Sequence, residues 1–192
     1  MDSKAQEILY RTASDEDLHG ALTLLDENYR GALADEDVKD GFISVRFSLD
    51  EVREMTENGI TVVAVSSEET AGVLFAQSCD YNIRKNPLAA RMIAVLEGKT
   101  VEGKTISARE AIVCGPICIS RNFRGQGIMQ HMYALLKQEA LKNYTIALTL
   151  VSQSNQRSIH AHEKLGYAKL ASFDSEGRPF DAFAMTLEKL LL

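Results

Sequence analysis

A glycine-containing turn between two regular segments is the part of this sequence best suited to bind a charged ligand. Residues 111–119 form an apolar, β-branched run, and Arg124-Gly-Gln-Gly127 precedes a helical pattern that reaches about Lys142. Gly125 and Gly127 permit a sharp turn and close approach of the backbone to a ligand. A helix that begins directly after them points unpaired N–H groups and the positive end of its dipole at the turn. The sequence therefore predicts a phosphate-binding turn.

Basic residues surround this turn, although the chain as a whole is acidic. From Ile119 to Tyr144 there are four Lys or Arg residues and one Glu, a local net charge of +3, whereas the whole chain carries −6. An ordinary strand-to-helix turn is the alternative, and the local charge argues against it. Neither Gly-x-Gly-x-x-Gly nor Gly-x-x-x-x-Gly-Lys-Ser/Thr occurs, so the dinucleotide fingerprint and the P-loop are both excluded. We therefore expect a different phosphate-bearing ligand.

Two segments resemble the GNAT superfamily of N-acetyltransferases. Arg124-Gly-Gln-Gly127-Ile-Met129 is similar to the family's pyrophosphate loop, Gln/Arg-x-x-Gly-x-Gly/Ala, and departs from it only at Met129. Residues 155–167 are similar to the family's second motif, Asn-x-x-Ala/Ser-x-x-x-Tyr/His-Glu-Lys-Leu-Gly-Phe/Tyr. The resemblance covers residues 111–173, and the N-terminal half shares only the order of elements. It implies an α/β fold in a single domain over residues 1–192: a mixed, splayed sheet of about seven strands with helices on both faces.

The resemblance also implies acetyl-CoA as the cosubstrate and a primary amine as the acceptor. In the family, the central strand pairs with the pantetheine arm and the glycine turn holds the pyrophosphate. Carried onto this sequence, the cofactor-binding residues are Ile117, Cys118, Ile119, Arg124, Gly125, Gln126, Gly127, Ile128, Met129, Asn155 and His162. The Arg124 side chain would add a fork of donors to the backbone N–H groups of the turn. Met129 keeps its backbone N–H, but its side chain leaves less room for the pyrophosphate than Gly or Ala would. This departure affects the expected affinity for the cofactor rather than the identity of the cofactor.

His162 is the predicted catalytic residue, because it stands where the family usually has a Tyr that acts as general acid to the departing sulfur. A protonated imidazole can supply that proton, and a packing role is the alternative. The acceptor also has to lose a proton, since an alkylammonium with a pKa of about 10 is only about one part in a thousand neutral at pH 7. Glu110 and His160 are candidate bases. Asn155 either contacts pantetheine or caps its helix, and Cys118, in an apolar strand without a neighbouring base, is expected to be inert.

Local signals predict the elements that position these residues, in the order β-α-α-β-β followed by a central strand, a crossover helix, a parallel strand, a helix and a hairpin. Pro116 offers no N–H, so we expect a bulge or splay in the central strand. Serine caps and glycines set the helix ends. The predicted segments are strands at 7–12, 60–65, 72–76, 111–119, 146–151, 167–173 and 180–187, and helices from Ser14, from Ser48 to Asn58, from Ile128 to Lys142 and from Asn155 to Leu165.

Residues 79–110 form an insertion where the family usually has a tight connection. Pro87 suits the first position of a helix, and apolar residues from Leu88 to Leu96 recur at helical spacing before Gly98. This segment is either a surface excursion packed down by its apolar stripe or a lid over the acceptor pocket. The acidic loop 35–40 is expected to form a rim on the same side that attracts cationic amines, with a purely solubilising role as the alternative.

Composition excludes several other classes of protein. The 192 residues are 45% hydrophobic and 25% charged, and no apolar run approaches the length of a membrane span. Residues 1–7 lack the apolar core of a signal peptide, and three cysteines cannot all pair, so we expect a cytoplasmic protein. Neither a metal-ligand spacing nor an extended basic surface for nucleic acid is present. We therefore expect no metal, no nucleic-acid partner and no membrane contact, and the sequence leaves a homodimer open.

The expected activity is transfer of an acetyl group to a primary amine of a small molecule by direct attack. Two alternatives remain at this stage: acetylation of a protein or peptide, and a CoA-binding protein of this fold without turnover. Replacement of the family's residues at Met129 and His162 is compatible with the latter.

Overall fold

The structure is a computed structural model, which describes residues 7–39, 41–67 and 69–189. Residues 1–6, most of the segment in which no signal peptide is predicted, lie outside these ranges. Asp40 of the acidic loop and Glu68 of the predicted hairpin turn also lie outside them. The strands are β1 Leu9–Thr12, β2 Gly59–Val65, β3 Thr70–Ser78, β4 Thr100–Val101, β5 Lys104–Thr105, β6 Ala111–Ile119, β7 Ile146–Ser152, β8 Ala168–Ser175 and β9 Arg178–Thr186. The helices are α1 Leu18–Glu27, α2 Asp35–Val38, α3 Leu49–Glu57, α4 Cys79–Lys85, α5 Pro87–Leu96, α6 Ile128–Ala140 and α7 Gln156–Leu165.

Seven strands form one mixed sheet, as predicted, in the order β1-β2-β3-β6-β7-β9-β8. All neighbouring pairs are antiparallel except β6 and β7, which are parallel. Helix α6 connects these two strands, because a parallel pair needs a crossover connection. The described strands β4 and β5 pair only with each other, in a small hairpin within the insertion.

The central strands β6 and β7 part after three residues. Ala111, Ile112 and Val113 pair with β7, and the pairing between the two strands ends there. On its other side β6 stays paired with β3 as far as Ile119, with an irregularity where Gly115 and Pro116 add one residue to β6. The predicted bulge and splay are therefore both present, for the physical reason that proline cannot donate to a ladder.

Helices cover both faces of the sheet. Helix α6 packs on one face through Ile128, Met132, Tyr133 and Leu136, which are buried among residues of β2, β3, β6, β7 and β9. On the other face, α1 and α3 cover β2 and β3, and α5 covers the half that contains β7 and β9. Each strand of the core is apolar on both sides, because a sheet covered on both faces has no solvent-facing side.

The insertion contains two helices rather than the single predicted one. Ser78 accepts a hydrogen bond from the Tyr81 N–H at 3.1 Å and caps α4, which the sequence analysis missed. Helix α5 begins at Pro87, as predicted, after Asn86 accepts from the Ala89 N–H at 3.1 Å. Its stripe is core rather than surface, since Met92, Ile93 and Leu96 are buried against β6, β7 and β9.

The acidic segment is also more ordered than predicted. Residues 35–38 form the short helix α2 instead of a loop. Asp35 pairs with Arg30 at 3.0 Å and Asp37 pairs with Arg121 at 3.1 Å. The acids at its start suit the positive end of the helix dipole, which explains why an acidic run can be helical here.

Candidate active site

Two adjoining cavities open where β6 and β7 part. The larger cavity has a volume of about 260 Å³ and lies between the end of β6, the start of α6 and helix α7. The smaller cavity has a volume of about 140 Å³ and lies between the splay, the insertion and residues 42–47. The residues that line both cavities are Phe42, Ile117, Asn155, Ser158 and His162. These shared residues mark the place where a ligand in one cavity would meet a ligand in the other.

The glycine turn forms one wall of the larger cavity. Gly125 and Gly127 have φ angles of +80° and +78°, a region that favours glycine, and Gly127 is the N-cap residue of α6. The His131 N–H donates to the Gly127 carbonyl at 3.3 Å, so the amides that precede it in α6 have no carbonyl within the helix. A β-carbon built on Gly125 would have no atom of the described chain within 4 Å. This open, donor-rich wall fits a phosphate.

The unpaired edge of β6 forms the adjoining wall. Ile117, Cys118 and Ile119 all line the larger cavity, in the part of β6 that has already separated from β7. The backbone groups of this segment that point away from β3 are therefore available to a ligand that carries amides, apart from the Ile119 carbonyl, which already accepts from Arg124. This is the position predicted for the three residues.

The phosphate contact of Arg124 stays a prediction, and the structure shows a positioning role for the same side chain. Its side chain lines the larger cavity, but Nε donates to the Ile119 carbonyl at 3.1 Å and a terminal nitrogen donates to Asn28 Oδ1 at 2.7 Å. Asn28 is itself 6% exposed and donates to the Leu24 carbonyl at the end of α1. These bonds fix the turn to β6 and α1, so Arg124 positions the turn with at least part of its guanidinium.

Among the described residues, two further cations line the larger cavity besides Arg124. Arg157 and Lys164 of α7 both lie in its wall, whereas Lys142 pairs with Glu139 at 2.5 Å and Lys137 donates to the Glu188 carbonyl at 3.0 Å. The basic charge counted around the turn in the sequence therefore reaches the cavity only in part. Arg157 and Lys164 belong to the second motif. Their seven-residue spacing places them on one face of α7, and this spacing is the signal in the sequence that could have identified them.

Gln126 and Met129 complete the predicted turn. Gln126 is absent from the described residues that line the larger cavity, and its side chain donates to the Asn122 carbonyl at 3.2 Å. Met129 does line the cavity, together with Ile128 and Gln130 in the first turn of α6. The Met129 side chain also packs against the core cluster between α6 and the sheet, so part of this side chain points away from the cavity.

Asn155 ties the two cavities to the surrounding chain. Its Oδ1 accepts from the Ser158 N–H at 3.1 Å, which caps α7, and its Nδ2 donates to the Phe42 carbonyl at 2.8 Å. Of the two roles considered for Asn155, helix capping is therefore observed. The second bond holds the segment that starts at Phe42 against α7, so one side chain positions both His162 and part of the smaller cavity.

His162 is buried at the junction of the cavities and has a defined tautomer. The ring is 2% exposed and packs edge-on against Tyr133 and Tyr167. Its Nδ1 lies 2.8 Å from the Ser158 carbonyl oxygen, which can only accept, so Nδ1 carries the proton. Nε2 is buried and has no hydrogen-bond partner among the described residues. A neutral His162 therefore presents a lone pair rather than a proton at Nε2.

Burial lowers the pKa of His162 from its ordinary value of 6.5 to about 4, although the hydrogen bond to Ser158 opposes this shift. The unfolded chain binds this proton near pH 6.5 and the folded chain only near pH 4, so the residue's contribution to stability is complete above pH 6.5 and is lost as the pH falls. Compared with a His162→Phe variant, the parent chain is expected to lose about 3 kcal/mol of unfolding free energy between pH 7 and pH 4. Urea unfolding of both proteins at the two pH values measures this difference; parallel losses would contradict it.

The other candidate proton carriers lie elsewhere. Glu110 and His160 are exposed, and neither lines either cavity; His160 Nδ1 is 2.7 Å from the Gln156 carbonyl oxygen. Burial raises the pKa of Cys118 to about 12, and that of Cys114 to the same value, so both thiols stay protonated at neutral pH. This shift argues against a thiolate nucleophile at either position.

The smaller cavity has a neutral lining. Its walls come from β6 and β7, from residues 42–45 and Phe47, and from Asn82, Asn86, Leu88 and Ala89 of the insertion. The insertion therefore borders this cavity. Its helix α5 is held by buried core residues, whereas a mobile lid would have few such contacts. Residues 35–39 line neither cavity, and Asp35 and Asp37 of this segment pair with Arg30 and Arg121.

No group of three or more His, Cys, Asp or Glu side chains that could hold a metal ion occurs among the described residues. Within the same ranges, none of the helices combines the length and the apolar character that crossing a membrane requires.

The sequence of the chain matches a known family. The profile described as the Acetyltransferase (GNAT) family matches residues 45–167. The chain belongs to this family, and it is therefore an acyltransferase that uses acetyl-CoA. The wall of backbone amides and the unpaired edge of β6 fit the pyrophosphate and the pantetheine amides of that molecule. No curated protein matches the chain significantly.

Solved structures show the same fold at low sequence identity. An N-acetyltransferase from Staphylococcus aureus Mu50 is 18% identical with a TM-score of 0.64, over 94% of this chain and 99% of the other. The protein yncA from Salmonella typhimurium, solved with its cofactor acetyl-CoA, is 12% identical with a TM-score of 0.64, over 94% of each chain. The ribosomal-protein-S18-alanine N-acetyltransferase from Escherichia coli is 11% identical with a TM-score of 0.61, over 94% of each chain.

Proposed function

We propose that the protein is an N-acetyltransferase that acetylates a primary amine of a small molecule by direct attack on acetyl-CoA. The observation that carries this proposal is the junction of the two cavities, where His162 and Ile117 line both. An acyl donor in the larger cavity and an acceptor in the smaller one would meet there. Holding two reactants in contact in this way converts a bimolecular reaction into an effectively unimolecular one.

The larger cavity binds the donor through the backbone of the chain. Ile117, Cys118 and Ile119 offer their free edge to the pantetheine amides, and the turn from Gly125 through Met129 offers its N–H groups to the pyrophosphate. Arg124 holds these two walls in register through its bond to the Ile119 carbonyl. Acetyl-CoA, bound in this way, supplies an activated acetyl group with a thiolate as its leaving group.

The reaction forms one C–N bond, breaks one C–S bond and moves one proton from nitrogen to sulfur. His162 is suited to carry this proton, because Nε2 is an unpaired acceptor at the junction and Nδ1–H is already satisfied by Ser158. Nε2 takes the proton as the attacking nitrogen becomes positively charged, and returns it to the departing sulfur. The low pKa of His162 favours the second transfer, because an imidazolium with a low pKa gives up its proton readily.

The acceptor has to arrive as a neutral amine, which is a small fraction of an alkylamine at pH 7. Loss of that proton adds roughly 4 kcal/mol to the barrier unless the site assists. The described lining of the smaller cavity contains no carboxylate, so water is the proposed route for this first proton. The rate is therefore expected to rise with pH up to the pKa of the acceptor.

Direct attack is preferred over a covalent acyl-enzyme because the available thiols are poor nucleophiles. Cys118 is the only cysteine in the described lining of the larger cavity, and its raised pKa keeps it protonated. A cytoplasmic location and a homodimer both stay predictions, the former in keeping with three unpaired, buried cysteines.

Release of CoA thiol from acetyl-CoA, with and without primary amines, tests the proposal. We expect amine-dependent release with one acetamide formed per thiol. Tight CoA binding without amine-dependent release from any small amine or peptide would instead favour a CoA-binding protein without turnover. Release that depends only on peptides would favour the alternative of a protein or peptide N-acetyltransferase.

A further inference from the structure

The side chains that line the smaller cavity are uncharged. Twenty-two described residues surround it, and none of them is Asp, Glu, Lys or Arg. The only side chain in this lining whose ordinary pKa is near neutrality is His162, and burial lowers that pKa to about 4, which keeps the ring uncharged at neutral pH. The walls are mainly apolar, with Phe47, Leu88, Leu150 and Phe180 among them.

Three neutral groups in this lining can accept hydrogen bonds from an amino group. Asn82 donates Nδ2 to the Ser78 carbonyl at 3.1 Å and to the Gln77 carbonyl at 3.5 Å, which leaves its Oδ1 as an acceptor. Thr149 faces Gly115 across the splay, since a β-carbon built on Gly115 would lie 4.0 Å from the Thr149 hydroxyl oxygen. His162 Nε2 is the third. The cavity is thus equipped for one amino group and for no second charged group.

The volume of the cavity limits the rest of the acceptor. At about 140 Å³ the smaller cavity is comparable with the apolar cavities of about 150 Å³ that hold one benzene molecule. A body of about six carbon atoms fits this space. A carboxylate or a second ammonium in the same space would lose its hydration without gaining a counter-charge or a full set of hydrogen bonds.

We propose that the acceptor is a small monoamine with an uncharged, apolar body of about six carbon atoms, and that the cavity discriminates against amines with a second charge. This inference rests on the proposed function, because it assigns the acceptor to the smaller cavity. It replaces the cationic preference that the acidic segment suggested, since residues 35–39 do not line the cavity. The neutral lining thus makes the amino group, which reacts in its neutral form, the only ionisable group of the preferred substrate.

Three amines of equal chain length provide a matched test: hexylamine, 1,6-diaminohexane and 6-aminohexanoate. With the full chain and saturating acetyl-CoA at one pH, kcat/KM for hexylamine is expected to exceed the other two values at least tenfold. Equal or greater kcat/KM for either doubly charged amine would overturn the inference and leave the proposed function intact. A peptide that is acetylated faster than hexylamine would overturn it as well. If no amine is acetylated although CoA binds, the proposed function fails and this inference fails with it.

A charge placed in the wall tests the same inference from the side of the protein. Leu88 lies in the first turn of α5, where an acidic residue is compatible with the helix. Leu88→Asp is expected to raise kcat/KM for 1,6-diaminohexane relative to hexylamine at least tenfold. Ala90→Asp, on the same helix but outside the lining, adds the same charge as a control and should leave the ratio within about twofold. An unchanged ratio in folded Leu88→Asp would contradict the assignment of this wall to the acceptor.

Discussion

Replacement of His162 by Phe is expected to lower kcat about 100-fold or more, which is the lower end of general acid–base contributions. Phe preserves a ring between Tyr133 and Tyr167 but removes Nε2, so the junction of the two cavities loses its proton carrier. The dissociation constant of acetyl-CoA should stay within a few fold, because the phosphate wall lies elsewhere. Steady-state kinetics with saturating acetyl-CoA and a reactive amine, together with calorimetry, separates the two effects.

His160→Phe is the matched control, because His160 lies two residues earlier on the same helix and outside both cavities. It should retain the parental kcat. A folded His162→Phe variant with normal kcat would reduce His162 to a packing residue. Recovery of activity in His162→Tyr would support donation of a proton to sulfur specifically, since a phenol can donate there but accepts a proton poorly at neutral pH.

Replacement of Gly127 by Asp is expected to weaken CoA binding more than tenfold. Gly127 is the N-cap residue of α6 with a φ of +78°, and its neighbours offer their N–H groups to the larger cavity. A carboxylate at this position would compete with phosphate for those groups and repel it. Calorimetric titration with CoA measures the change directly.

Gly127→Asn separates charge from backbone strain. Asn has nearly the same shape as Asp and tolerates positive φ, so it reproduces the steric change without the charge. We expect Gly127→Asn to bind CoA more tightly than Gly127→Asp, with the difference shrinking as salt concentration rises. Unchanged CoA affinity in a folded Gly127→Asp variant would show that the turn is not the phosphate site.

Local backbone chemistry explains which parts of the site could be predicted. The positions of Gly125 and Gly127, the cap at Asn155 and the interruption at Pro116 depend on residues close in sequence, and the structure places each as expected. The sheet followed from the same local signals together with the resemblance. Features of this kind are visible in a sequence because each residue restricts its own φ and ψ angles.

Long-range contacts account for what the sequence did not reveal. Arg124 had the right charge for a phosphate ligand, but its bond to Asn28 joins residues 96 positions apart, and nothing in either segment indicates that pairing. The acidic segment likewise pairs with Arg121, 84 positions from Asp37. Charge alone does not determine which of several partners a flexible side chain will find, so tertiary packing decides the role of both groups.

The insertion also braces the sheet at its weakest line. Helix α4 packs on β3 and β6, and α5 packs on β7 and β8, so the pair of helices covers the short stretch where β6 and β7 are still paired, next to the point where they part. A substitution in the cavity wall consequently affects stability to a different extent in different parts of the wall. Changes at Ala89, which is buried in α5 and lines the smaller cavity, would alter the acceptor wall and weaken the brace together, whereas residues 42–47 lie outside that brace. Divergence toward new acceptors is therefore least constrained in that segment.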